Sequence, residues 1–325
     1  MTGARKYLYG PVPSRRLGLS YGVDIVPFKA CTLDCVYCQL GRTVEKTIER
    51  KDFAPIEAIL AELREALAEG SKADFVTIGG SGEPTLHSRL GELIDGIKGI
   101  TDIPVALLTN GTLFERQDVR GDCAKVDVLL PSLDAGDEQT FRRIDRPEPT
   151  ISLENVISGL CALREEFAGQ IWIEVFLVPS INAAPPQIAH IKEAIDRIRP
   201  DKVQLNTAVR PTADPNVVKL SAEKLQDIAL RLGPRCEVVA DFSSVASGHL
   251  TRDRRADELR VHCGVAEKRQ TVLSMLKRRP CSLDDISAGL SVSSSEAEKY
   301  VAQLQDRGLV QAERKGGRVF FKSIC

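Results

Sequence analysis

Two stretches decide the fold: residues 126–133, VDVLLPSL, and residues 171–178, IWIEVFLV. Each is apolar almost throughout rather than at alternate positions, the pattern of a parallel strand covered on both faces. Four further strand candidates share the chain with them, at 22–28, 74–79, 104–109 and 202–207. Helical patterns lie between. Residues 55–69 put Ile56, Ile59, Leu60, Leu63 and Leu67 on one stripe and stop at Gly70; others run over 89–98, 152–167, 186–197 and 222–232. Strands alternating with helices predict a parallel α/β sheet with right-handed crossovers. Periodicity leaves two architectures open, an open doubly wound sheet and a curved partial barrel.

The 325 residues are 43% apolar and 27% charged, which excludes a collagenous or largely disordered chain. A formal charge of −1 gives the whole molecule no bias toward nucleic acid or membrane. The opening MTGARKYLYGPVPSRR lacks the apolar run of a signal peptide, and no apolar stretch is long enough for a membrane span. A cytoplasmic protein without membrane contact is expected.

The pattern changes after Asp241. Residues 241–260, DFSSVASGHLTRDRRADELR, are polar and aperiodic and read as a linker. Helix patterns follow at 270–279, ended by Pro280, at 282–290, and at 293–307, the last opened by serines and closed by Gly308. Two alternating strands then flank Lys315-Gly316-Gly317-Arg318. Three helices and a hairpin predict a winged helix. The expected division is a core domain over 1–240, a linker over 241–264 and a winged-helix domain over 265–325.

Nine cysteines, an odd number over a long chain, argue against a disulfide framework. Three fall in CTLDCVYC, at Cys31, Cys35 and Cys38, while Cys123, Cys161, Cys236, Cys263, Cys281 and Cys325 are scattered and read as isolated thiols rather than a second cluster. Soft thiolates select zinc or iron–sulfur clusters. A closed zinc site needs a fourth ligand, which the neighbourhood lacks, so three thiolates leave one coordination position open.

Cys-x3-Cys-x2-Cys near the N-terminus resembles the radical S-adenosylmethionine (SAM) superfamily. The resemblance implies a partial (β/α)6 barrel and a [4Fe–4S] cluster on Cys31, Cys35 and Cys38 whose open iron chelates SAM. It also implies reductive cleavage of SAM to methionine and a 5′-deoxyadenosyl radical, and a reductant such as flavodoxin or ferredoxin. Tyr37 occupies the place that packs near the adenine. The strand end Gly79-Gly80-Ser81-Gly82-Glu83 resembles the motif that holds the SAM amino group, and small residues there let backbone carbonyls approach a ligand.

Ligands bind at the carboxyl ends of parallel strands, so polar residues at successive ends form a group. The third strand ends in Thr109-Asn110-Gly111. Ser132 and Asp134, at the end of the fourth, resemble ribose-contacting positions; Asp134 reads equally as a helix cap. Among Arg142, Arg143 and Arg146, Arg143 is singled out as a partner for the SAM carboxylate, against an exposed arginine face. Asn182 and Arg210 follow the fifth and sixth strands, Arg210 either clamping an anionic group or forming an ion pair. Glu174 lies within a strand and reads as pointing into the core as a substrate or SAM contact. His87 either faces the site or starts a helix.

The opening GPVPSRRLGLSYGVD, with YGVDIVPFKACTLDCVYCQLGRT, resembles a radical SAM subgroup related to the tRNA wybutosine synthesis enzyme, over the first two-thirds of the chain. The sequence departs from that enzyme in lacking a second N-terminal cysteine cluster and in carrying the C-terminal unit. RNA and peptide substrates both stay open. The C-terminal unit holds eleven Lys and Arg against seven Asp and Glu over 266–325. Lys315, Arg318 and Lys322 would suit phosphate contacts, whereas Glu296 and Glu298 oppose base reading by the third helix. A redox-sensing, DNA-binding iron–sulfur regulator is the competing reading.

Overall fold

The computed structural model describes residues 5–14, 16–70, 72–240, 265–290 and 292–324. The expected linker at 241–264, with Cys263, His249 and His262, lies outside the described residues, as does Cys325.

The chain opens with an antiparallel hairpin, β1 (Leu8–Ser14) and β2 (Gly18–Val23). A short ribbon follows, β3 (Ala30–Cys31) beside β4 (Glu45–Lys46). Helices and strands then alternate: α1 (Ile56–Ala68), β5 (Phe75–Ile78), α2 (Leu90–Lys98), β6 (Val105–Thr109), α3 (Gln117–Cys123), β7 (Val128–Pro131), α4 (Glu138–Ile144), α5 (Leu153–Glu166), β8 (Gln170–Leu177), α6 (Pro185–Ile198), β9 (Lys202–Thr207), α7 (Ala222–Leu232) and β10 (Cys236–Val238). The sheet order is β1-β2-β5-β6-β7-β8-β9-β10, parallel from β2 onward. Helices start where side chains satisfy their first N–H groups: Asp137, Ser152 and Ser221 accept from Thr140, Asn155 and Lys224. In α1, Ile56, Ile59, Leu63 and Ala66 bury the face turned to the sheet.

Two sequence expectations need correction. The first parallel strand is Gly18–Val23 rather than 22–28, and the Pro-rich stretch before it, given no strand in the sequence reading, is an edge strand. An edge strand tolerates the prolines at 11 and 13. The opposite edge is β10, three residues that carry no visible period.

The sheet is curled. Strand spacing of about 4.8 Å would separate β2 from β8 by about 19 Å in a flat sheet. Yet Arg16, at the turn into β2, reaches Glu174 on β8 at 2.5 Å, and Leu17 packs with Trp172. The enclosed face is layered. Leu17, Ala106, Val128, Leu130 and Trp172 fill the amino end. Above them stand polar groups, Ser20, Thr77, Glu174 and Asn206, and then the carboxyl ends of the strands.

Beyond the undescribed stretch, α8 (Val265–Arg278), α9 (Leu283–Leu290) and α10 (Ser294–Asp306) precede the hairpin β11 (Val310–Lys315) and β12 (Arg318–Ser323). They form their own apolar core around Val272, Leu276, Ile286, Tyr300 and Phe321, and Val12 of β1 packs against it. At the far side, Lys315 Nζ bonds Thr212 Oγ1 at 2.8 Å and the Val217 carbonyl at 3.0 Å, both after β9. One small unit thus touches β1 and the loop beyond β9.

Candidate active site at the strand ends

The cysteine loop is pinned to the end of β5. Lys29 N–H donates to the Ser81 carbonyl at 2.7 Å, and Glu83 N–H to the Ala30 carbonyl at 3.0 Å. A Cβ on Gly82 would lie 2.1 Å from that carbonyl, so only glycine permits the approach. On Gly80 a Cβ would lie 2.6 Å from Asp24 Cγ. Asp24 in turn accepts from Ser81 N–H at 3.0 Å and Ser81 Oγ at 2.5 Å, and Gly79 O accepts from the Tyr9 hydroxyl.

Glu83 ties the end of β5 to the end of β6 from a position only 2% exposed. Its Oε1 accepts from Thr85 N–H at 3.0 Å and Thr109 Oγ1 at 2.6 Å; its Oε2 accepts from Asn110 N–H at 2.7 Å. Burial raises its pKa above the usual carboxylate range, against the pull of these donors.

Each loop sulfur has its own polar neighbour. Asn110 Nδ2 lies 3.5 Å from Cys31 Sγ, Asp145 Oδ1 lies 3.3 Å from Cys35 Sγ, and Lys29 Nζ lies 3.0 Å from Cys38 Sγ. None of the three is in a disulfide. Burial pushes the Cys31 thiol up to about 12, and pushes Cys35 up as well, with Glu83 and Asp145 adding to it. The thiols are close enough to feel one another's charge. Thiolates here therefore need a compensating positive centre, which is what a metal or cluster supplies. Among the described residues no trio of His, Cys, Asp or Glu is gathered around a single point as a ready-made metal-ion site.

Beyond the sulfurs, the Tyr37 ring stacks on Phe176, with centroids 4.0 Å apart and planes 11° from parallel. Its hydroxyl donates to Asp134, whose other oxygen accepts from Phe176 N–H at 2.5 Å. Asn110, Ser132, Asp134 and Asp145 line one recess with Leu33. Burial pushes the Asp145 carboxyl up to about 7 and raises Asp134 too, the two carboxyls facing each other.

Residues 25–191, just over half of the chain and most of these strand ends, match the radical SAM superfamily. The chain belongs to the radical SAM superfamily. Its cofactors are accordingly a [4Fe–4S] cluster and SAM, and the superfamily is one of enzymes. Among relatives, a protein named GTPase Obg from Brachyspira hyodysenteriae is 34% identical over 312 residues, covering 96% of this chain and 44% of that one. UPF0026 protein MJ1312 of Methanocaldococcus jannaschii is 38% identical over 208 residues, 63% of this chain and 64% of that one. The chain thus spans less than two-thirds of the length of both. Streptococcus suis SuiB, solved with its precursor peptide SuiA, shares the fold at a TM-score of 0.51 and 15% identity, over 67% of this chain and 48% of that one.

Against the radical SAM pattern, Cys31, Cys35, Cys38, Tyr37, Gly79–Glu83, Asn110, Ser132 and Asp134 come together at one end of the sheet. Three expected cofactor contacts have other partners. Arg143 points outward: α4 buries Thr140, Phe141 and Ile144, and the exposed Arg143 reaches the Ser180 carbonyl at 3.4 Å. Asn182 is fully buried and spends its amide on Asp134 O, Phe176 O and Val178 N–H, holding Asp134 in place instead of meeting a ligand. Arg210, 8% exposed, pairs with Asp285 of α9 at 2.8 Å. His87 is buried between Ala54 and Arg89 and supports the loop after β5. Glu174 faces inward, held by Arg16 and Asn206.

Sequence reasoning missed Lys29, Asp24 and Asp145. Asp24 ends YGVD as Asp134 ends PSLD, so the strand-end signal was available. Asp145 sat among arginines that drew the attention. Lys29 carries no signal.

Proposed function

We propose that Cys31, Cys35 and Cys38 each hold one iron of the cluster and that SAM lies across the strand ends between Gly80–Glu83 and Ser132–Asp134. The observation that carries this reading is the double backbone tie between the cysteine loop and the β5 end, which fixes thiols and glycine-rich segment as one unit. A cluster takes each thiolate on a different iron, so the sulfurs need not converge on one point. When bound, cluster and SAM supply a 5′-deoxyadenosyl radical that removes hydrogen from a substrate.

The chain's own part is positional. Asn110 and Lys29 direct N–H groups at sulfur, Tyr37 offers a stacked ring beside the Asp134 carboxyl, and the apolar floor from Leu17 to Trp172 seals the amino end against water. The electron comes from a low-potential donor such as flavodoxin or ferredoxin, in the cytoplasm.

In this reading the core over 1–240 is a partial (β/α)6 barrel and 265–325 is a winged helix joined by 241–264. The resemblance to the wybutosine-related subgroup supports kinship of the core, with the substrate's chemistry left to the cavity. A DNA-binding regulator is the poorer reading, because Lys315 is engaged by the core and Lys322 by Glu313. Replacing all three cysteines by Ala should abolish iron and sulfide uptake under anaerobic reconstitution. Retention of the wild-type iron content would overturn the ligand assignment.

A further inference from the structure

We infer that Lys29 sets the reduction potential of the cluster through an N–H···S contact to Cys38, an inference that rests on the three-cysteine assignment above. Its ammonium lies 3.0 Å from Cys38 Sγ, with the residue only 3% exposed. A buried ammonium beside a neutral thiol is poorly paired, whereas beside a thiolate it is matched.

A further observation singles this residue out. Its backbone is left-handed, with φ at 62°. Glycine adopts that conformation freely, while a residue with a side chain gives up about 1 kcal/mol. The backbone is held there by bonds on both sides, from Lys29 N–H to Ser81 and from Val44 N–H and Glu45 N–H to the Lys29 carbonyl.

The other two sulfurs face a neutral amide, Asn110, and a carboxyl, Asp145, so Lys29 is the cation of the set. Reduction adds one electron to the cluster and makes it more negative. A fixed positive charge and hydrogen bonds to sulfur stabilise that state and raise the potential. Lys29 is therefore a positioning and tuning residue that need not touch the substrate.

The test is a redox titration of the reconstituted 325-residue chain with dithionite, with the reduced cluster counted by electron paramagnetic resonance. Lys29→Met should keep its iron and lower the reduced-to-oxidised ratio about tenfold at a fixed potential, a 59 mV shift for one electron. Lys29→Arg should restore most of the ratio, and the surface variant Lys51→Met should match wild type. If Lys29→Met takes up no iron, Lys29→Gln carries the same comparison. A full iron complement with an unshifted potential in the neutral variant overturns the inference. Wild-type protein that takes up no cluster would instead overturn the cysteine assignment.

Discussion

At Gly82 the space for one methyl group determines whether the cysteine loop can lie against the sheet. A Cβ would meet Ala30 O at 2.1 Å and Val26 Cγ2 at 3.0 Å, and Ala30 is held by bonds to Pro27 and Glu83. Gly82→Ala should therefore destabilise the fold by about 1–3 kcal/mol, the range for overpacking, and reduce iron uptake with it. Thermal melting and iron analysis check the two effects. Glu83 tests the same joint by chemistry instead of volume. Its two oxygens face only donors, so Glu83→Gln turns an amide N–H toward Thr109 or Asn110 N–H. A loss of about 1–3 kcal/mol is expected, as a lower urea midpoint at unchanged slope. Both residues were legible as motif members, but not as structural joints. Their partners, Ala30 and Asn110, lie far off in sequence.

Among the elements, legibility followed length and burial. Strands covered on both faces, such as 171–178, announced themselves as apolar runs, and β8, Gln170–Leu177, lies one residue from that stretch at each end. The helices α3 and α4, seven residues each, are too short for a 3.6-residue period to repeat convincingly. Missing α4 is what made Arg143 look available, since only the helix fixes which residues turn inward. The corrected placement has a direct check. Arg143→Ala should leave SAM affinity unchanged and stability within about 0.5 kcal/mol of wild type. Asn182→Ala should cost several times more, because it strips partners from Asp134 O, Phe176 O and Val178 N–H in a fully buried position. Denaturant titration of the two variants side by side decides the point.

For the whole molecule, the C-terminal unit is docked rather than tethered. Arg278 of α8 lies over the Tyr9 ring and 3.3 Å from Asp24, while Arg210 meets Asp285, and Lys315 reaches past β9. Sequence could show the basic wing but not which way it faces, because charge alone does not distinguish an internal contact from a nucleic-acid surface. Asp285 reports on this seam through pH. Burial raises its carboxyl, but Arg210, the Ser282 N–H and Arg279 outweigh that and leave it below the usual range. A depressed folded value contributes stability above the unfolded value near 3.9, and that stability is lost as pH falls through the folded value. The melting-temperature gap between wild type and Asp285→Asn should hold from about pH 8 to about pH 5 and close below about pH 4. A gap independent of pH would separate Asp285 from the seam. The central claim, that the pinned cysteine loop and the neighbouring strand ends form a working radical SAM site, is tested most directly by 5′-deoxyadenosine formation. Anaerobically reconstituted, dithionite-reduced protein supplied with SAM should release it, and Cys35→Ala should not. A fully loaded, reduced cluster that leaves SAM intact would contradict the account.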